Sequence, residues 1–215
     1  LNAADSNPEV RSVVITGAGP TFCAGGNLQR LLENRQKPPE FQRESIEGLH
    51  AWIEGIRTFP KPVIAAVEGA AAGAGFSLAL ACDFIVAADN AVFVMAYSSV
   101  ALSPDGGGTW SLAQALPRQL VSELLMCGER IGSSRLQELG VVNRVVPAQS
   151  ALAEALALVA ENLREAERVF PPLVDYAVAQ LSHRASGERT QPMRRPLWHA
   201  RAELWERVQP PAPGS

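Results

Sequence analysis

The chain has 215 residues, of which 47% are hydrophobic and 19% charged, enough apolar content to bury a sizeable core. Disorder, collagen and a small disulfide scaffold are thereby excluded. With 19 Lys+Arg against 22 Asp+Glu the net charge is −3, so no global basic field collects nucleic acid or an anionic membrane, and a polyanionic ligand needs a local site.

In chain order, the first residue is Leu1 rather than Met and the first strand-like run begins only at Val10, so an N-terminal part is expected to be missing. Residues 10–15 (VRSVVI) form a β-branched run that ends in the turn GAGPTF, as a buried strand does. Residues 27–32 read as a helix start that QKPPE, residues 36–40, breaks. Residues 41–59 carry Ile46, Leu49, Trp52, Ile53 and Ile56 near helical spacing, and Pro60-Lys61-Pro62 stops that helix. Residues 62–67 (PVIAAV) predict a second buried strand, and GAAAGAG, residues 69–75, leads into an apolar helix over 76–82 that belongs in a core. Residues 84–86 and 92–94 predict two more strands, and PDGGG, residues 104–108, opens another helix. Ser134 with Gln137 forms a capping-box pattern, Gly140 stands where a C-cap glycine does, and residues 141–146 (VVNRVV) predict a last strand. Beyond Pro147 the pattern is helical and rich in Ala, Leu, Glu and Arg, without strand signal. Strands alternating with helices across glycine turns indicate an α/β protein.

Three widely spaced cysteines, Cys23, Cys82 and Cys127, fit reduced thiols of a cytoplasmic protein better than a disulfide framework or a zinc site. His50, His183 and His199 show no ligand spacing, and no apolar run reaches the ~20 residues of a membrane span. Gly17-Ala18-Gly19 and Gly73-Ala74-Gly75 each fail the dinucleotide fingerprint, with Phe22 and Leu78 where the last glycine belongs, and no Gly-Lys-Ser/Thr is present. Ser77 lacks a nucleophile-elbow context, Glu68 is expected at a strand end in solvent, and the Arg-rich stretch with Arg194, Arg195, Arg201 and Arg207 reads as a solvated helix surface.

Two loops then carry the chemistry: FCAGGN, residues 22–27, and GAAAGAG, residues 69–75, each between a strand and a helix. Small residues allow close backbone approach, and free N–H groups at a helix start point outward as donors. Two such loops aimed at one oxygen make an oxyanion hole, whereas tight helix–strand packing explains either loop alone. Asp105 precedes three glycines in a segment poor in ionisable groups, where a helix N-cap and a catalytic carboxylate are both compatible with the sequence.

Together and in this order, VVITGAGPTFCAGGN, KPVIAAVEGAAAGAGFSLALACD and ALSPDGGGTW resemble the crotonase (enoyl-CoA hydratase/isomerase) family over residues 10–147. The resemblance implies an α/β core over residues 1–147, a spiral of ββα units, and a C-terminal helical trimerisation segment over 148–215. It further implies a coenzyme A thioester substrate and a homotrimer or dimer of trimers. No metal, redox cofactor, nucleic acid or membrane is implied, and coenzyme A enters only as part of the substrate. The family's two oxyanion donors fall on the N–H groups of Gly26 and Ala74, with Gly25, Gly73 and Gly75 beside them. Backbone around Cys23 and Ala24 meets the adenine end of the coenzyme, and Ala96, Tyr97, Leu102 and Trp110 fall near the acyl pocket. Asn27 replaces the more usual Asp.

The departures bear on reaction type. Ser77 and Tyr97 stand where hydratases of this family carry the two glutamates that manage water, which disfavours simple hydration. Asp105 falls where isomerases and a dehalogenase of the family place a functional aspartate, and SPDGGGTW most resembles the phenylacetate-pathway ring-epoxide isomerase and Δ3/Δ2-enoyl-CoA isomerase branch. The expectation is an acyl-CoA isomerase with Asp105 moving the proton. The alternatives are an enoyl-CoA hydratase using Asp105 alone and a non-catalytic acyl-CoA-binding subunit.

Overall fold

The computed structural model describes residues 1–34 and 36–160. Helix α1 (Asn2–Asp5) precedes β1 (Val13–Thr16), followed by α2 (Leu28–Asn34), α3 (Pro39–Arg57), β2 (Val63–Val67), β3 (Ala70–Ala72) and α4 (Ala74–Ala81). Then come β4 (Phe84–Ala88), β5 (Val92–Val94), a 3-10 turn (Ser98–Val100), α5 (Gly108–Ala115), α6 (Arg118–Met126), β6 (Arg130–Gly132), α7 (Ser133–Glu138), β7 (Arg144–Val146) and α8 (Ala151–Leu158). β1 starts three residues later than its sequence run because pairing begins where Val13 N–H donates to Pro62 O (2.9 Å), while Val10 N–H turns back to Asn7 O (3.1 Å). Lys61 Nζ donates to the carbonyls of Ala4 (2.5 Å) and Asn7 (2.8 Å), holding α1 beside that strand start.

Two sheets result. β1, β2, β4 and β7 form a wholly parallel sheet in the order β1-β2-β4-β7, and β3, β5 and β6 form a second, with β3/β5 parallel and β5/β6 antiparallel. Successive ββα units, β2-β3-α4 and β4-β5-α5, each send the first strand to one sheet and the second to the other.

β2 is buried along its whole length, as a parallel strand covered on both faces must be. Its alternate residues serve two cores. Val63, Ala65 and Val67 join the main cluster with Ile53, Ile56, Phe76 and Phe93, while Ile64 and Ala66 face Ala151, Ala155 and Leu158 of α8. Phe76 and Phe93, both fully buried, tilt against each other at 5.1 Å between centroids. Such a pair adds about 0.5–1.5 kcal/mol beyond the roughly 1.5–3 kcal/mol that each side chain gains on burial. Because α8 covers the parallel sheet, the helical segment expected from residue 148 opens with a core helix. Residues 161–215, where most of that segment and the Arg-rich stretch fall, lie outside the described residues.

Several local expectations are corrected. The run 69–75 contains strand β3, and α6 and β6 follow where no element was expected. The Ser134/Gln137 box does not form: α7 starts at Ser133 behind Gly132, and Ser133 Oγ donates instead to Asp89 O (3.2 Å). Gly140 does follow the helix end, at φ +77°. Glu68 is not a solvated strand end. Its two oxygens accept the N–H groups of Gln149 and Ala151 (2.9 Å each), capping α8 from 83 residues away.

Candidate active site

The first glycine loop lies against the second as a short extra strand. Cys23 forms a parallel bridge with Ala71: its N–H donates to Ala70 O (3.1 Å), its carbonyl accepts from Ala72 N–H (2.9 Å), and Phe22 N–H donates to Glu68 O (2.8 Å). Two glycines permit this approach. A Cβ on Gly75 would stand 2.2 Å from Cys23 O, and Gly25, at φ +90°, would place one 2.7 Å from Ala72 O and 3.6 Å from Ala74 N. Gly73 caps α4 at φ +52° and its N–H donates to Val94 O (2.9 Å), leaving Ala74 as the first helical residue. Across the bridge, Asn27 Oδ1 accepts Arg30 N–H (3.0 Å) and opens α2 just after Gly26. Among the described residues, neither the Gly26 nor the Ala74 N–H has a protein acceptor. Cys23 is a half-buried free thiol, and Ala24 is exposed between it and Gly25.

Asp105 is not the cap of α5. Gly107 is, at φ +72°, and the carboxylate is held elsewhere. Tyr97 Oη donates to Asp105 Oδ1 at 2.6 Å, Ser77 Oγ donates to the Asp105 carbonyl at 3.0 Å, and the two hydroxyls lie 3.4 Å apart. Ser77 sits on α4, Tyr97 just after β5 and Asp105 on the loop before α5, so three elements meet here. The glycines after Asp105 lie tight on Ser77: a Cβ on Gly106 would stand 3.1 Å from Ser77 Cβ, and one on Gly108 2.4 Å from Ser77 Oγ. Tyr97 is 6% exposed and Ser77 1%, whereas Asp105 is half-buried. Burial, with the bond to Asp105 adding to it, pushes the Tyr97 phenol well above the usual tyrosine range, so it remains a donor at working pH.

Asp105 lines a cleft of about 720 Å³. Leu28, Leu31 and Leu32 of α2 form one wall, Ile46 and His50 of α3 a second, and residues 100–105 a third. Asp105 is the one acidic side chain on this lining among the described residues. Gly26 adjoins the cleft through Leu31, whose Cδ1 would lie 3.3 Å from a Cβ there. Leu102 lines this cleft. Ala96, Tyr97 and Trp110 do not: Tyr97 reaches Asp105 from behind, and the Trp110 ring stacks on the Arg57 guanidinium at 4.2 Å. His50 also lines the cleft, and its i, i+4 spacing from Ile46 puts the two on one helix face, a local signal that marks His50 as a wall residue.

No metal-holding group of three or more His, Cys, Asp or Glu occurs among the described residues, and no described helix is long and apolar enough to cross a membrane.

A family model described as enoyl-CoA hydratase/isomerase matches residues 1–196. The chain is 39% identical over 189 residues to a carnitinyl-CoA dehydratase of Citrobacter koseri, covering 87% of this chain and 68% of that one. To the carnitinyl-CoA dehydratase of Escherichia coli K12 it is 43% identical over 147 residues, covering 68% of this chain and 54% of the relative. It therefore spans about half to two thirds of these curated relatives. Among solved structures it resembles an enoyl-CoA hydratase from Polaromonas sp. JS666, with 58% identity, TM-score 0.75, and coverage of 95% of this chain and 75% of that one. It also resembles Pseudomonas aeruginosa DspI, with 27% identity, TM-score 0.78, and coverage of 97% and 82%.

Proposed function

The chain belongs to the enoyl-CoA hydratase/isomerase family and has its crotonase fold, and from that premise we propose that it is an acyl-CoA isomerase in which Asp105 carries the proton. The observation that carries the reading is the lone carboxylate: among the described residues Asp105 stands on an apolar cleft wall with hydroxyls, not a second carboxylate, as its neighbours. Paired acid/base activation of water has no obvious second agent there.

In the proposed reaction the N–H groups of Gly26 and Ala74 hold the thioester oxygen. Asp105 takes the α proton of a 3-enoyl thioester; the C–H bond breaks and its electron pair passes through the conjugated system onto the held oxygen as a dienolate. The same carboxylic acid returns the proton to the γ carbon, the double bond moves into conjugation and the carboxylate is regenerated, with no co-reactant. Donors fixed where charge develops supply much of the rate, and losing one costs about 10²–10³ in comparable enzymes. Cys23 and Ala24 would meet the coenzyme's adenine end.

The cleft walls favour a neutral, apolar acyl group, straight-chain or ring-derived as in the phenylacetate branch. A trimethylammonium head such as that of a carnitinyl group calls for Trp, Tyr or Phe faces or clustered carboxylates, and no Trp, Tyr or Phe lines the cleft among the described residues. A lyase reading is favoured by the names of the relatives, carnitinyl-CoA dehydratase and enoyl-CoA hydratase, since the same donors would serve hydration. The proposed assembly is a homotrimer or dimer of trimers, through the segment after Ser150, in the cytoplasm; light scattering at micromolar concentration tests it, and a clean monomer would refute it.

The deciding experiment supplies a 3-enoyl-CoA, crotonyl-CoA and crotonobetainyl-CoA to wild type and Asp105→Asn. Isomerisation of the first, lowered ~10²-fold or more in the variant with binding retained, supports the reading. Hydration of crotonyl-CoA as the faster wild-type reaction would establish the lyase instead.

A further inference from the structure

A single carboxylate on a half-buried loop, followed by glycines at φ +57° and +72°, has torsional freedom that proton transfer does not tolerate. A misplacement of about 1 Å costs on the order of 10²-fold in rate. In this chain the freedom is removed from behind. Ser77 Oγ holds the backbone of Asp105 at 3.0 Å and Tyr97 Oη holds its Oδ1 at 2.6 Å, and both hydroxyls are buried outside the cleft lining.

We propose that Tyr97 is a positioning residue for the reaction: its phenol, steadied by Ser77, fixes the Asp105 carboxylate so that Oδ1 stays engaged and Oδ2 alone takes and returns the substrate proton. This rests on the reading of Asp105 as the proton carrier. It also replaces the expectation that Tyr97 touches the substrate. The phenol does not compete for the proton, because burial keeps it protonated far above working pH. With Oδ1 bonded to the protein, Oδ2 is the oxygen left for the thioester, and the proposal requires its proton to stay out of exchange with water between the two transfers.

The test follows a 3-enoyl-CoA deuterated at the α carbon through wild type, Tyr97→Phe, Ser77→Ala and Asp105→Asn, measuring kcat, KM and the fraction of deuterium delivered to the γ carbon. Tyr97→Phe is expected to lower kcat by about 10–100-fold with KM unchanged, and to lower deuterium delivery as the freed carboxyl exchanges with solvent. Ser77→Ala is expected to shift both quantities in the same direction by less. A folded Tyr97→Phe with wild-type kcat and delivery, beside an inactive Asp105→Asn, overturns the positioning role and leaves the proton carrier standing. A raised KM at unchanged kcat makes Tyr97 a substrate contact and overturns it equally. Wild-type turnover by Asp105→Asn is the separate outcome that removes the carrier itself. If Tyr97→Phe does not fold, 3-fluorotyrosine incorporated in a Tyr176→Phe background decides, since the chain has two tyrosines. The more acidic phenol is expected to change deuterium delivery, and an unchanged value overturns the role.

Discussion

Replacing Gly75 by alanine forces apart the two loops that carry Gly26 and Ala74. The new Cβ would stand 2.2 Å from Cys23 O and 2.8 Å from Cys23 C and Cβ, more than 1 Å inside ordinary contact with the oxygen. α4 cannot give, because Phe76 and Ala79 beside Gly75 are fully buried. Relief must come from Cys23 leaving β3, which strains or breaks the Cys23 N–Ala70 O and Ala72 N–Cys23 O bonds. Each bond is worth about 0.5–1.5 kcal/mol net and the overpacking costs about 1–3 kcal/mol, so the variant should lose about 2–6 kcal/mol. At roughly 2–4 °C per kcal/mol for a chain of this size, calorimetry should show melting at least about 4 °C lower. Gly26→Ala is the control: its Cβ meets only the mobile end of Leu31 at 3.3 Å, and its stability should stay within about 0.5 kcal/mol of wild type. A Gly75→Ala protein that melts with the wild type would refute the close approach of the loops and the site built on it.

Asp105→Ala should lose about 1–3 kcal/mol by leaving the buried Tyr97 hydroxyl only its long 3.4 Å contact with Ser77, whereas Asp105→Asn keeps an acceptor at Oδ1 and should melt near wild type; urea titration separates them, and equal losses would contradict the bond. Glu68→Ala should cost about 1–2 kcal/mol by uncapping α8, with Glu68→Gln recovering part of it, and hydrogen exchange at Gln149 and Ala151 should rise. Burial pushes the Cys82 thiol up to about 12, so iodoacetamide at mildly alkaline pH should label exposed Cys127 and leave Cys82 unlabelled until the chain unfolds. Burial also raises the Asp83 carboxyl, outweighing the Val63 N–H that favours its charge, so the folded chain holds this proton more tightly than the unfolded one. Its contribution to stability is then fullest below the ordinary carboxylate range and is lost as pH rises through the raised value; Asp83→Asn should flatten that part of the pH–stability curve, and an unchanged slope would count against the shift.

The strands carrying continuous apolar runs were legible in the sequence, as were the glycine loops, because burial on both faces and tight turns leave local marks. β3 was not: three alanines between glycines have poor intrinsic strand preference, and Ala71 is held in a strand by Cys23 and Phe93 on either side. Glu68 was misread because its partners lie 81 and 83 residues away, and no window along the chain connects them. The role of Asp105 as a cap followed from local rules, yet the residues that hold it stand 8 and 28 positions earlier on other elements. Trp110 was placed near the acyl group by resemblance, and its attachment to Arg57 is a tertiary contact without a local signature.

The bridge between Cys23 and Ala71 works as a ruler. Strands that run the same way advance in step, and Gly26 and Ala74 each lie three residues beyond the paired positions. One register therefore measures out both positions at once. A single-residue deletion in either arm, 23–26 or 71–74, desynchronises them however well the rest of the fold survives. These two stretches should thus be intolerant of length change across the chain's relatives, while length variation collects upstream of the bridge or beyond α2.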